Sequence, residues 1–262
     1  MAQLTIRLLG PFRVTLNGAP LEAFNSDKER ALLAYLATDG HGPYRREALA
    51  GLFWPGGLAS SARNSLNQAL STYRRLLRTP GTDGSPPWLV TTAKTVDLVP
   101  DEMCQIDVRE MDAAAAAGRA HFQPDGRASP ACAERYACVA DLYTGAFMDG
   151  FRLRGCPRFD EWLTARREHY RRQAVVALEA LCARDASNGS PQDALRHARR
   201  WIGLDPLDER GHRQVMRLLA GLGQAPAALA QYEACRQTLR ARLGAEPDRR
   251  TTALCERIRE GQ

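Results

Sequence analysis

Residues 62–78 carry side chains of the kinds that contact DNA, at spacings that place them on one side of a helix. With about 3.6 residues per helical turn, an apolar stripe forms from Leu66, Leu70, Tyr73 and Leu77. The opposite side carries amide, hydroxyl and guanidinium groups, those of Asn64, Gln68, Ser71 and Arg75. Amides pair with adenine and guanidinium groups with guanine, so these four side chains are predicted to read base edges.

Five further polar residues lie on the flanks or at the far end of the same helix. They are Arg63, Asn67, Thr72, Arg74 and Arg78. The three arginines are expected to hold the phosphate backbone. No Asp or Glu occurs between residues 60 and 80, where a carboxylate would repel phosphate. The alternative is an arginine-rich solvated surface in a chain that contains only two lysines.

Two other positions add candidate contacts to DNA. Arg45 and Arg46 begin a short predicted helix at 45–53, and the backbone amides of a helix N-terminus favour a phosphate there. Lys94, with Thr92 close by, lies near the tip of a predicted β-hairpin and could reach an adjacent groove.

A small sheet, three helices and a β-hairpin are predicted to position these residues. Alternating strands at 4–9 and 12–16 precede the turn residues Asn17-Gly18. Ser26 or Asp27 can cap a helix that includes 30–37, and Ser60 or Ser61 can cap the helix that ends near Arg78. A loop at 79–87 leads to strands 88–92 and 95–99. Residues 1–100 are therefore predicted to form an α+β winged helix-turn-helix domain with an extra N-terminal sheet.

The chain after Pro100 has the pattern of an all-α domain, which we assign to residues 101–262. A loop is predicted at 122–130, and helices at 108–118, 130–144, 160–187, 191–203, 207–222, 226–242 and 248–260. Gly189, Ala194 and Leu195 recur 34 residues later as Gly223, Ala228 and Leu229. This offset is the tetratricopeptide period, in which each repeat is a pair of helices.

Composition and charge narrow the class of protein further. The first hundred residues hold 11 basic and 7 acidic side chains, and the whole chain has a net charge of +6, which suits a polyanionic partner. No apolar run approaches the ~18 residues that span a bilayer, and the N-terminus lacks an export signal. We therefore expect a cytoplasmic protein with no membrane association.

The cysteines and histidines show no pattern of a metal site or an active site. No two of the seven cysteines have the two-residue spacing of a metal knuckle or redox motif, so we expect reduced, mostly buried thiols. The five histidines, at 41, 121, 169, 197 and 212, have no carboxylate or cysteine partner at a motif spacing. The expectation is no metal, no cofactor and no enzyme activity.

Several segments resemble the Streptomyces antibiotic regulatory protein (SARP) family and its bacterial transcriptional activator domain. In the N-terminal part they are LGPFRV (9–14), KERALLAYLA (28–37), REALAGLFWP (46–55) and ARNSLNQAL (62–70). In the C-terminal part they are LYTGAF (142–147), LDPLDE (204–209), AQYEACR (230–236) and LGAEP (243–247). They follow one another in the family's order along nearly the whole chain.

The resemblance implies a winged helix of the response-regulator effector type, followed by a tetratricopeptide-like activator domain. Such regulators bind direct repeats near promoters, often as side-by-side dimers, and recruit RNA polymerase. The resemblance implies that the major groove receives Arg63, Asn64, Asn67, Ser71 and Arg75. It implies that Trp54 and Arg46 touch the DNA backbone.

Three features depart from the family pattern. Gly56-Gly57 stands where acidic residues are expected, which affects the loop before the third helix, and Tyr73 replaces a leucine. Larger members continue into an ATPase, whereas this sequence contains no Gly-x-x-x-x-Gly-Lys-Ser/Thr loop. The chain is either a short member or a fragment of a longer regulator.

The leading hypothesis is a sequence-specific DNA-binding regulator, an activator that contacts RNA polymerase and forms a homodimer at least on DNA. The alternative is a helical-repeat adaptor between proteins that does not bind DNA. An enzyme is the weakest interpretation, because none of the histidines has a carboxylate or cysteine partner at the spacing of a catalytic motif.

Overall fold

The computed structural model describes residues 3–39, 42–78, 88–120 and 129–261. Its strands are β1 (Leu4–Arg7), β2 (Arg13–Leu16), β3 (Ala19–Pro20), β4 (Tyr44–Arg45), β5 (Leu89–Thr91), β6 (Thr95–Leu98) and β7 (Cys104–Ile106). Its helices are α1 (Asp27–Asp39), α2 (Arg46–Phe53), α3 (Ala59–Leu76), α4 (Asp107–Ala120), α5 (Pro130–Leu142), α6 (Pro157–Ser187), α7 (Pro191–Leu204), α8 (Glu209–Gly221), α9 (Ala225–Leu243) and α10 (Arg249–Arg259). The predicted loop at 79–87 and most of that at 122–130 lie outside the described residues.

The residues group into two compact units. The first comprises Met1–Asp112 and Leu142–Tyr170, and the second comprises Ala113–Asp141 and Arg171–Gln262. We refer to them as the mixed unit and the helical unit. The mixed unit also takes in residues 142–170, so this grouping is not a single cut along the chain. It does not test the predicted domain boundary at residue 100, which stays a prediction.

Two sheets frame the mixed unit. The first has the order β3-β2-β1-β7, with β1 antiparallel to β2 and parallel to β7, and the second has the order β4-β6-β5. The predicted turn at Asn17-Gly18 is confirmed, since both residues have positive φ (53° and 80°), as a tight hairpin requires. Strands β4 and β7 were not predicted, because segments of two and three residues carry too little alternation to recognise.

The helix starts of the mixed unit agree with the sequence in one case and differ in another. The Ser26 hydroxyl accepts a hydrogen bond from the Glu29 backbone N–H at 3.3 Å, so this predicted cap is confirmed. The predicted cap of α3 at Ser60 or Ser61 is wrong: Leu58 occupies the N-cap without a side-chain hydrogen bond. Both serines lie inside the first turn, because the helix begins three residues earlier than the segment predicted from Ala62.

The apolar stripe of α3 is confirmed as the face that packs in the core. Leu66, Leu70, Tyr73 and Leu77 are at most 1% exposed. The Tyr73 hydroxyl donates a hydrogen bond to the Glu29 carbonyl oxygen in the first turn of α1. This bond satisfies the polar end of Tyr73, which is why a tyrosine can replace leucine inside the core.

Residues from the segment 142–170 cover the end of α2. The ring centroids of Phe159 and Phe53 are 5.4 Å apart, and the Cys156 thiol donates a hydrogen bond to the Phe53 carbonyl oxygen at 3.3 Å. Trp162 donates from its indole N–H to the Asp39 carboxylate at the end of α1. The ends of α1 and α2 are therefore held by side chains that lie more than a hundred residues further along the chain.

The helical unit contains the predicted repeat. The seven helices predicted after residue 100 are confirmed, with every end within three residues of its predicted position. Gly189 and Gly223 both adopt positive φ (75° and 74°) in equivalent turns, and Ala194 and Ala228 are both fully buried in the helices that follow. Small side chains at those two positions let neighbouring helices approach closely, which gives a tetratricopeptide-like fold.

The described residues contain neither a candidate membrane span nor a candidate metal cluster. None of the helices described combines the length and the apolar content that crossing a bilayer requires. Within the same residues, His, Cys, Asp and Glu form no group of three or more that could hold a metal ion.

Candidate nucleic-acid interface

The outer face of α3 is open to solvent and free of carboxylates. The predicted base readers Asn64, Gln68, Ser71 and Arg75 are all exposed, as is Asn67. Arg63 and Arg78 are also exposed, although Arg78 lies just beyond the end of α3. Amide and guanidinium groups on one exposed helix face can form the paired hydrogen bonds that distinguish base pairs in a major groove.

Thr72 is not part of this face. It is only 6% exposed, and its hydroxyl accepts a hydrogen bond from Nδ2 of Asn25 at 2.8 Å. The backbone N–H of Asn25 donates in turn to Glu29 in the first turn of α1. Thr72 thus ties α3 to the segment before α1, and we correct its assignment as a DNA contact.

Arg46 joins three elements at the edge of the face. Its Nη2 donates to Oδ1 of Asn67 on α3, and its Nη1 donates to the Thr92 carbonyl oxygen at 3.1 Å. Its backbone N–H donates to the Lys94 carbonyl oxygen at 3.0 Å. One side chain and its own amide therefore hold α2, α3 and the β5–β6 hairpin together.

The hairpin between β5 and β6, which we call the wing, has a tip shaped by Thr92. The Thr92 hydroxyl accepts hydrogen bonds from the backbone N–H groups of Lys94 at 3.1 Å and Thr95 at 2.9 Å. This turn leaves the Lys94 side chain exposed. Thr92 fixes the wing tip, and Lys94 supplies its charge.

A cleft of about 740 Å³ lies between α3 and the wing, and several of the predicted DNA-contacting residues line it. Its lining includes Arg45, Arg46, Arg63, Asn67, Thr92 and Lys94. Arg45 is exposed at the end of β4, which pairs with β6 next to the wing tip. The structure thus brings residues from three separate sequence segments around one basic cleft.

Arg46, which lines this cleft, lies near the charge of a second arginine, Arg74. Arg74 is half-buried and donates from Nη2 to the Thr91 hydroxyl on β5 at 2.5 Å. Partial burial, together with the nearby charge of Arg74, lowers the pKa of Arg46. The like charge of Arg74 disfavours the protonated form of Arg46, and an anion bound beside Arg46 would relieve that repulsion.

Glu47 is the acidic residue of the cleft that the helix pattern of 62–78 did not reveal. Its carboxylate forms an ion pair with Nη2 of Arg63 at 3.1 Å, and both side chains are exposed. Glu47 follows Arg46 in the first turn of α2, sixteen residues before its partner. The predicted contact of Arg63 with a phosphate therefore competes with the ion pair that Arg63 forms with Glu47.

Trp54 lies at the C-terminal end of α2, where its ring contacts a cationic side chain. The side chain is half-buried, and the ammonium of Lys28 lies 5.8 Å from the ring centroid. The following loop contains Gly56 with a φ of +84°, a conformation that favours glycine. The Gly56 departure from the family pattern is thus matched by a backbone requirement.

The N-terminal sheet, the three helices with the wing and the following helical repeats define the fold of a winged-helix transcriptional regulator. The family model of the bacterial transcriptional activator domain matches residues 106–259. The chain belongs to this family, and it is a regulator of the SARP type.

Two comparisons extend this result. The transcriptional regulatory protein EmbR, from Mycobacterium bovis and from Mycobacterium tuberculosis, is 34% identical over 125 residues, which cover 45% of this chain and 31% of EmbR. The match thus spans about a third of these curated relatives. A solved structure of M. tuberculosis EmbR in complex with a low affinity phosphopeptide has a TM-score of 0.71 and 25% identity, covering 100% of this chain and 66% of that one.

Proposed function

We propose that this regulator binds specific promoter sequences by placing α3 in the major groove. The observation that carries the proposal is the outer face of α3, which is exposed, lacks carboxylates and presents amide, hydroxyl and guanidinium groups. These groups match the hydrogen-bonding pattern of base edges, and the surrounding arginines match the charge of the phosphates.

The contacts divide into three roles. Asn64, Gln68, Ser71 and Arg75 are the base readers. Phosphates are bound by Arg45, Arg63, Arg78 and Lys94. Arg46, Arg74 and Thr92 act chiefly by holding α3 and the wing in place, since each is engaged in hydrogen bonds within the protein.

Asn67 has a narrower role than its exposure suggests. Its Oδ1 accepts a hydrogen bond from Arg46, which leaves Nδ2 as the group available to DNA. We therefore assign Asn67 as a hydrogen-bond donor to a phosphate or to a base acceptor. Trp54, which is half-buried, is assigned a contact with the sugar-phosphate backbone of the DNA.

The family resemblance supports a proposal for the wider activity. We propose that the protein binds direct repeats as a side-by-side homodimer and activates transcription by contacting RNA polymerase in the cytoplasm. Genomic footprinting would give the motif and the spacing of its half-sites, and transcription with purified polymerase would measure activation. A single isolated half-site, or repression in that assay, would contradict this part of the proposal.

The central test is DNA binding by Arg75→Ala, measured with fragments recovered by footprinting. The substitution is expected to cost about 1–3 kcal/mol and to relax the choice of base at one position. The matched control is Arg199→Ala, which removes the same charge from an exposed position on α7. Affinity should also fall steeply with added salt, as counterion release requires.

The same experiment separates the regulator from an adaptor that does not bind DNA. Equal affinities for R75A and R199A, with unchanged base preference, would rule out α3 as the reading helix. Absence of salt-dependent binding to any fragment would favour the adaptor.

A further inference from the structure

The helical unit contains a second basic cleft, of about 270 Å³. Alternate helices of the repeat array, α6, α8 and α10, supply most of its lining. Arg210, Arg213 and Arg217 follow one another on α8 at spacings of three and four residues, and therefore share one face of that helix. Arg250 comes from the first turn of α10.

Two of these guanidinium groups are already neutralised within the protein. Arg210 forms ion pairs with Asp208 at 2.8 Å and with Glu179 at 3.3 Å. Arg213 is buried and pairs with Asp248 at 3.0 Å. Both side chains are thereby fixed in orientation along the cleft wall.

Arg217 and Arg250 are exposed and, within the part of the chain that the structure describes, neither has a carboxylate at ion-pair distance. The contact of Arg217 with Oε1 of Gln214 is long, at 3.5 Å. Partial burial, and the charges of Arg213 and Arg257, lower the pKa of Arg217. The cleft therefore holds uncompensated positive charge at a partly desolvated position, where a carboxylate would be stabilised.

We propose that this cleft binds an acidic peptide segment of a partner protein, with a carboxylate between Arg217 and Arg250. Helical-repeat proteins present surfaces of this kind to partners. The amide of Gln214 can bond to the backbone of an extended segment.

The lining favours a peptide over a nucleic acid. Glu179 lies in the same cleft, and its carboxylate would repel a phosphodiester backbone, which carries a charge on every nucleotide. A peptide can instead place a backbone N–H opposite Glu179 and its own carboxylate at Arg217 and Arg250. Burial raises the pKa of Glu179, as expected for an acceptor that is partly withdrawn from water. A cleft of about 270 Å³ has room for one or two side chains of such a peptide.

Fluorescence anisotropy with the full chain tests the proposal, using a short labelled peptide rich in glutamate. Arg217→Glu combined with Arg250→Glu is expected to weaken peptide affinity by about tenfold. The matched control combines Arg199→Glu with Arg242→Glu, two exposed arginines elsewhere in the helical unit, so that the net charge change is the same. Circular dichroism checks that both variants are folded.

Promoter binding provides the second measurement on the same variants. The proposal expects R217E/R250E and R199E/R242E to bind a promoter fragment equally, because the cleft belongs to neither α3 nor the wing. Equal peptide affinity of the two variants would overturn the proposal. Displacement of the peptide from the wild-type cleft by unlabelled duplex DNA would also overturn the proposal, since the cleft would then be a general polyanion site.

Discussion

Arg46 and Asn67 are joined by a hydrogen bond from Nη2 of the arginine to Oδ1 of the amide, which links the first residue of α2 to the middle of α3. The same arginine bonds to the wing through the carbonyl oxygen of Thr92. The separation between α3 and the wing is therefore set before DNA is bound. Ordering two elements in advance lowers the entropic cost of binding.

Replacing Arg46 by alanine should lower the stability of the protein. The change removes two hydrogen bonds, and leaves one carbonyl and one amide oxygen without this donor, so we expect a loss of about 1–2 kcal/mol. Urea unfolding followed by circular dichroism measures it. The control is Arg45→Ala, an exposed neighbour expected to stay within about 0.5 kcal/mol of the wild type. Equal midpoints for R46A and R45A would show that Arg46 does not couple these elements.

Replacing Glu47 by glutamine should strengthen DNA binding. The substitution frees Arg63 from its ion pair and removes a negative charge from the cleft, so a gain of about 0.5–1 kcal/mol in binding free energy is expected. Anisotropy titration with a promoter fragment measures the gain. Glu134→Gln, at an exposed position of α5, removes the same charge and serves as the control. A weaker complex with E47Q would mean that Arg63 needs Glu47 for its orientation.

The sequence predicted those features that repeat at a regular interval. Leu66, Leu70 and Tyr73 follow the helical period, and Gly189 and Gly223 follow the repeat period, so each set is visible without any knowledge of tertiary contacts. The exposed side of α3 could be predicted as the complement of its apolar stripe.

The misplaced or missed residues depend on partners that are distant in the sequence. On the helical wheel Thr72 lies at the edge of the polar side, and only its contact with Asn25 places it in the core. The Glu47–Arg63 pair likewise requires α2 and α3 to be packed together. No periodicity within one segment encodes such contacts. The same holds for the contact of Phe159 with Phe53, which joins two patterns that look independent in the sequence.

Phe159 should affect the winged-helix region although it lies outside residues 1–100. Its side chain is fully buried against Phe53, so Phe159→Ala is expected to cost about 3–5 kcal/mol of unfolding free energy. DNA affinity should fall with it, because α2 loses part of its packing. Val176→Ala, at a position 47% exposed, is the control and should change little. Wild-type DNA affinity and stability in F159A would show that residues 142–170 do not support this region.

Asp248 should give the helical unit a measurable dependence on pH. Its carboxylate caps α10 by accepting from the Thr251 backbone N–H at 2.7 Å, and it pairs with Arg213 at 3.0 Å. Burial opposes ionisation, but the hydrogen bonds from Thr251 and the charge of Arg213 outweigh it and hold the pKa of Asp248 below its ordinary value of 3.8. The stabilisation is therefore present above that ordinary value and is lost as pH falls through the lower folded pKa, because the unfolded chain binds the proton more tightly.

Replacing Asp248 by asparagine keeps a capping side chain but removes the charge. At neutral pH we expect D248N to lose about 1 kcal/mol of unfolding free energy, since Arg213 loses an ionised partner and Asp248 itself is partly exposed. Chemical unfolding at a series of pH values should show this difference shrinking below about pH 4. Asp141→Asn, at an exposed position, controls for the loss of one carboxylate. A difference between D248N and the wild type that is the same at all pH values would contradict a role for the ionised carboxylate.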